Sequence, residues 1–244
     1  MIHQTLEKLS EMHLHGFVRA VREQAESTKY QDLSFEERLA LVVDQEYIRR
    51  KNSSLQRRLR LAQLKQIATI ENIDFSPSRN LSKSDLLKYA SGDWIANHLN
   101  IIITGPTGAG KTYLACALAD KACRDGNQPR YIKAHDLASE LLIARADGSL
   151  PRFVGRLSRC QPLIIDEWMR DPLPALQARE LLDLLDARYE VASTVFVAQL
   201  PVEKWIQNFD DPTLADALLD RIVHSSYRVE LGGESIRKLK TKIK

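Results

Sequence analysis

No run of eighteen or more apolar residues occurs in the chain, so nothing in it is built to cross a bilayer as a helix. Its opening, MIHQTLEKLSEMHLHGF, carries acids and lacks the continuous apolar core of a secretory signal, so a cytoplasmic location is expected. Cysteine is scarce: Cys116, Cys123 and Cys160 form neither a C-x-x-C pair nor a disulfide framework, which argues against a metal role for them. The first two stand seven apart on an expected helix, the spacing of buried core thiols. Net charge is nearly lacking too, at +3, too little to announce a nucleic-acid partner. Glycine and proline are almost missing from the first seventy residues, where only Gly16 occurs.

That stretch therefore reads as helical. Leu6, Leu9, Met12, Phe17 and Val21 recur near helical spacing. Ser34-Phe35-Glu36-Glu37 resembles a capping box opening a further helix that would bury Leu39, Val42 and Val43. Residues 49–65 are basic (Arg49, Arg50, Lys51, Arg57, Arg58, Arg60, Lys65) without one acid, and the tail carries Arg237, Lys238, Lys240, Lys242 and Lys244. They are either a solvated helix face and a frayed terminus or surfaces for nucleic acid. From about Asn72 the texture changes. Apolar, β-rich runs at Ile101–Thr104, Arg130–Ala134, Leu163–Asp166, Thr194–Gln199 and Tyr227–Leu231 alternate with helical ones. Such alternation predicts βαβ crossovers and a parallel sheet covered on both faces. A length of 244 residues suits one core domain with a smaller appendage, drawn here as 1–70 and 71–244.

The sharpest motif is Gly105-Pro106-Thr107-Gly108-Ala109-Gly110-Lys111-Thr112, a complete G-x-x-x-x-G-K-[ST] loop between an apolar strand and a helical run. Its glycines let backbone N–H groups turn toward phosphate oxygens, and a helix N-terminus adds its positive dipole end. Lys111 is placed to reach the β- and γ-phosphates of ATP, and the Thr112 hydroxyl to coordinate Mg²⁺. The pattern arises by chance in roughly 1% of chains this long, and the correct flanks lower that further.

Leu163-Ile164-Ile165-Asp166-Glu167 is an apolar strand ending in two acids, a weak signal by itself. Some fifty residues after such a loop, Asp166 is the expected holder of the Mg²⁺ hydration shell. Glu167 is either the group that orients the attacking water or a solvated loop acid. Binding alone needs only the first carboxylate, so the pair favours a hydrolase. Gln199 ends the fourth β-run, either as a sensor of the γ-phosphate or as an amide capping the turn before Pro201. Arg221, in Leu218-Leu219-Asp220-Arg221-Ile222-Val223-His224, is either a surface ion pair with Asp216 or Asp220 or an arginine finger offered to a neighbouring subunit's ATP. His224 has no metal-ligand spacing around it. Arg237 either reaches the nucleotide or is solvated.

Together GPTGAGKTYLACALA, LLIARADGSL, LIIDEW, VAQLPVEKW, LLDRIVHSSYRVEL and GESIRK resemble the IstB family, helper ATPases of bacterial insertion sequences, and more distantly the helicase loader DnaC. The resemblance covers nearly the whole chain. It implies an AAA+ initiator-clade ATPase: a P-loop three-layer sandwich with a parallel five-stranded sheet, preceded by a small all-helical N-terminal domain. It also implies an oligomer with ATP-bridged interfaces that assembles on duplex DNA, marks it as target and activates a DDE transposase. On this chain the nucleotide site becomes Gly105–Thr112 with Asp166 and Glu167, and the trans-acting arginine Arg221. One departure is Ala198, where relatives often carry serine before the sensor position of Gln199. Arg145, Arg152, Arg156 and Arg159, with Lys133, fall in the stretch that faces the central channel of initiator-type ATPases. They are candidates for sequence-independent phosphate contacts. A helicase loader of the DnaC type, a small-molecule kinase and a nucleotide-locked scaffold remain alternatives.

Overall fold

The computed structural model describes residues 2–75, 79–233 and 235; Arg237 and the basic tail lie outside the described residues. The chain divides into two compact units, Met1–Arg57 and Arg58–Lys244.

The first unit is helical. It holds α1 (Ile2–Glu11), α2 (His15–Glu26) and most of α3 (Phe35–Ala62). The expected capping box opens α3: the Ser34 amide donates to Glu37 Oε2 at 2.8 Å, and the Glu37 amide donates back to Ser34 Oγ at 3.3 Å. No side chain of its own caps α2. Its first N–H groups instead find Glu46 on α3, which accepts from the Gly16 amide at 2.7 Å and the Phe17 amide at 3.2 Å. A Cβ on Gly16 would crowd that carboxylate oxygen at 2.8 Å and the Gln45 carbonyl oxygen at 3.0 Å, so the smallest residue lets the two helices' groups meet. Arg49 and Arg50, read from the sequence as part of a basic surface, close on the same carboxylate, each at 2.7 Å. This contact turns Val42 inward, whereas Leu39 and Val43, expected on a common buried face, are exposed. Two positions one and three residues from Val42 lie about 100° and 300° around a helix from it, so a narrow contact with α2 buries Val42 alone.

The second unit is built on a five-stranded sheet with the order β2-β3-β4-β1-β5 and every pairing parallel. Its strands are β1 (Asn100–Thr104), β2 (Arg130–Lys133), β3 (Leu163–Trp168), β4 (Thr194–Ala198) and β5 (Ser226–Glu230). Each expected β-run is a strand. Side chains alternate across the sheet as the period of two demands. Ile101, Ile103, Ile164, Val195 and Val197 face α6 (Lys111–Arg124), and Ile102, Ile165 and Phe196 face α7 (Ala134–Ala146), α9 (Ala175–Asp186) and α10 (Pro212–Val223). Both faces are thus covered, the three-layer arrangement expected from continuous apolar strands. Shorter helices α4 (Lys83–Ala90) and α5 (Asp93–Ala96) precede β1, and α8 (Leu150–Leu157) precedes β3. Arg188 is almost fully buried and donates to Thr194 Oγ1 at 3.0 Å and to the Leu157 and Ser193 carbonyls, tying α8 to the start of β4. Among the described residues no helix is long and apolar enough to cross a membrane.

Glu46 governs the acid stability of the helical unit. Hydrogen bonding from Arg49, then, against the opposing cost of burial, from Arg50 and the Gly16 and Phe17 amides, holds its carboxyl well below the ordinary value. A depressed folded-state pKa stabilises above the unfolded value, near 4.5, and that contribution drains away as pH falls below it. Circular dichroism on Glu46→Ala is expected to show the helical unit weakened by about 2–3 kcal/mol at neutral pH. The difference from wild type should shrink steadily between pH 4.5 and more acid conditions. A constant difference would show that the carboxylate is not what caps α2.

Candidate nucleotide site

Strand β1 ends at Thr104 and α6 begins at Lys111, so the glycine-rich motif forms the turn between them. Gly105, Gly108 and Gly110 take φ values of 141°, 85° and 94°, which side chains disfavour. At Gly105 space is also decisive, since a Cβ would fall 2.2 Å from the Leu231 carbonyl oxygen. Lys111 folds back over the turn and donates from Nζ to the Gly105 carbonyl at 2.7 Å and the Pro106 carbonyl at 2.9 Å. The turn and the N-terminus of α6 together offer backbone N–H groups and a cation to an anion.

Parallel register places the end of β3 beside this turn. The Thr112 hydroxyl donates to Asp166 Oδ2 at 2.9 Å, and the Tyr131 hydroxyl donates to the same oxygen at 2.7 Å. Burial, followed by this bond to Asp166, raises the Tyr131 pKa far above its ordinary value and keeps the phenol a donor. Thr112 and Asp166, both oxygen donors, thereby meet at one point. A hard divalent cation such as Mg²⁺ suits that pair, for it takes few protein oxygens and completes its shell with water and phosphate.

At Glu167 the ladder between β3 and β4 slips, and Glu167 itself is left-handed, with φ 57°. Its carboxylate pairs with Lys133 Nζ at 2.9 Å and with Arg170. Burial pushes the Glu167 pKa up, but Lys133 and Arg170 outweigh that and hold it below the ordinary value. Gln199, one residue beyond β4, accepts from the Thr107 hydroxyl at 3.1 Å. Thr107, Lys111, Thr112, Asp166, Glu167, Arg170 and Gln199 border one cavity of about 900 Å³. Its far end is walled by Asn72, Ile73, Asp74, Arg79, Leu81 and Leu231. Arg79 pairs with Asp74 at 3.3 Å, and its carbonyl accepts from the Gly232 amide at 3.0 Å, so segments before β1 and after β5 close that end together. Sequence reasoning missed this wall, Tyr131 and Arg170.

Other expected residues stand elsewhere. Arg221 lies outside the cavity near the end of α10, paired with Asp186 at 2.6 Å. Arg145 pairs with buried Glu180, whereas Arg152, Arg156 and Arg159 are exposed on and just after α8. Lys133, grouped with them by sequence, sits at Glu167.

The model of the family described as IstB-like ATP binding protein matches residues 7–244. The chain belongs to that family. It is 40% identical over 238 residues to a putative insertion sequence ATP-binding protein of Sinorhizobium fredii, covering 98% of this chain and 97% of the relative. Among solved structures it is similar to the replication initiator DnaA bound to AMPPCP and single-stranded DNA, with TM-score 0.58 and 20% identity over 74% of this chain and 56% of that one. It is also similar to the DnaC helicase loader, with TM-score 0.53 and 16% identity over 67% of this chain and 96% of that one. The fold of this IstB-like chain is accordingly the P-loop AAA+ sandwich, as the motifs implied.

The turn's tightness can be checked without any ligand. Gly105→Ala is expected to lower stability by more than about 2 kcal/mol in thermal denaturation, since it combines an unfavourable φ with a clash. Gly126→Ala, with φ 100° and nothing within 4 Å, should cost only about 1 kcal/mol. Equal losses would mean that the Leu231 contact does not constrain the turn.

Proposed function

We propose that this IstB-like protein is an ATPase that binds duplex DNA in an ATP-dependent way, assembles there as an oligomer, and recruits and activates a DDE transposase. The observation that supports it most is the meeting of Thr112 and Asp166 at 2.9 Å beside the glycine turn, with Glu167 next in the chain. Family membership supplies the insertion-sequence setting.

In this reading the Gly105–Thr112 turn cradles the phosphates through its amides, and Lys111 leaves its two carbonyl acceptors to neutralise the β- and γ-phosphates. Thr112 and Asp166 would hold magnesium, which would supply charge neutralisation to the transferring phosphoryl group. Glu167 orients the attacking water, and Gln199, linked to the turn through Thr107, contacts the γ-phosphate side. Arg221, on the outside of its own subunit, acts on the nucleotide of a neighbour, so turnover depends on assembly. The exposed Arg152, Arg156 and Arg159 neutralise DNA phosphates with little sequence preference, as a selector of many targets requires. Arg145 and Lys133 join them only by exchanging Glu180 and Glu167 for phosphate. The protein works in the cytoplasm.

Duplex-DNA binding measured with and without MgATP tests the proposal. Wild type is expected to bind tightly only with ATP, and with affinity that falls as salt rises. Lys111→Ala should lose that binding, while Glu167→Gln should keep it and hydrolyse ATP roughly a hundredfold more slowly. Equal DNA binding by wild type and Lys111→Ala, nucleotide present or absent, would sink it.

A further inference from the structure

Arg170 follows β3 and belongs to none of the sequence motifs, yet it borders the cavity beside Lys111, Thr112 and Glu167. The backbone delivers it there. Glu167 and Met169 are both left-handed, with φ 57° and 53°, on either side of buried Trp168, and the Arg170 amide closes a turn onto the Glu167 carbonyl at 3.2 Å. The side chain is consequently folded back onto the Glu167 carboxylate.

Its donors are only partly used. Nη1 donates to Glu167, while Nε and Nη2 donate to Asp171 at 3.0 and 2.8 Å. A guanidinium has five N–H groups, so two remain without an acceptor among the described residues. Nor is Arg170 the sole counter-charge of Glu167, because Lys133 stands 2.9 Å from the other carboxylate oxygen. A second cation with spare donors, at the end of the cavity bordered by Asp166 and Glu167, is suited to one more anion.

We propose that Arg170 is a phosphate-binding arginine supplied by the same chain as the P-loop, which takes an oxygen of the terminal phosphate with its remaining N–H groups and makes the site prefer a nucleoside triphosphate to a diphosphate. It rests on the nucleotide-site reading above. The planar fork holds Glu167 with one nitrogen and the phosphate with another, a bridge that a lysine ammonium spans less well. The inner phosphates lie with the turn and Lys111, so a diphosphate leaves Arg170 without its extra acceptor.

Equilibrium binding of a fluorescent non-hydrolysable ATP analogue and of fluorescent ADP, each with magnesium, to the full chain tests this. Arg170→Ala is expected to weaken the triphosphate roughly tenfold and leave the diphosphate within about twofold, and Arg170→Lys to recover part of the loss. The same tenfold loss should appear when Arg170→Ala is made in a Glu167→Gln background. Equal weakening of both nucleotides, unchanged triphosphate binding, or disappearance of the effect in that background would each overturn the proposal; the last would mean that Arg170 only screens Glu167. Should Arg170→Ala fail to fold, Arg170→Gln and Arg170→Lys carry the same comparison. Lys111→Ala that binds both nucleotides like wild type would instead overturn the nucleotide-site reading itself.

Discussion

Asp166 joins three parts of the second unit: one oxygen accepts the Thr112 and Tyr131 hydroxyls, at 2.9 and 2.7 Å, and the other accepts the Glu167 amide at 2.8 Å. The first residues of α6, the strand β2 and the end of β3 are thereby fixed to a single nearly buried carboxylate. A carboxylate removed from water needs such donors. Parallel pairing makes the arrangement reachable, because it brings the C-terminal ends of all the strands to the same edge, where the crossover loops gather. Reversing one strand would carry its terminal side chain to the opposite edge. The chemistry at this edge therefore depends on the sheet being parallel throughout.

The sheet was legible because buried parallel strands are written as unbroken apolar runs, such as Ile101-Ile102-Ile103 and Leu163-Ile164-Ile165. The glycine turn was legible because φ values above zero admit few other residues. The far wall of the cavity was not. Asn72 and Arg79 sit in short 3-10 turns and Asp74 outside any regular element, and their places follow from contacts such as that of the Arg79 carbonyl with the Gly232 amide, partners remote in sequence. No periodicity encodes a pairing of that kind. Leu39 and Val43 show the opposite failure, since a helical repeat marks which positions are apolar but not how wide the contact covering them is.

Charge was the least transparent property. Arg49 and Arg50 serve Glu46, Arg58 donates to the Cys123 carbonyl at 2.7 Å, and Arg188 lies almost fully buried among carbonyls. Burial lowers the Arg188 pKa to about 10, still well above neutrality, so it remains a cation whose donors must all be met from within. A basic run in the sequence thus mixes structural arginines with solvated ones. What separates them is whether a carboxylate or carbonyl from another element arrives within reach. Arg152 and Arg156 keep their exposure because α8 buries Phe153 and Leu157 and turns its other faces outward, and Arg159 is exposed just beyond its end.

Left-handed backbone at Glu167 and Met169, neither a glycine, costs on the order of 1 kcal/mol per residue. Something must hold it. Between them Trp168 is nearly fully buried, its ring 5.1 Å from that of Phe196 and 6.2 Å from that of Trp205. Burying an indole against two aromatic rings offsets that strain, even with its Nε1–H left without an acceptor among the described residues. The side chains of Trp168 and Met169 both lie in one layer of the core, while Glu167 before them and Arg170 after them border the cavity. That fixes where the Glu167 carboxylate meets Lys133 and Arg170. Packing on the α9–α10 face of the sheet, away from the turn, is therefore part of what sets the electrostatics of the nucleotide site.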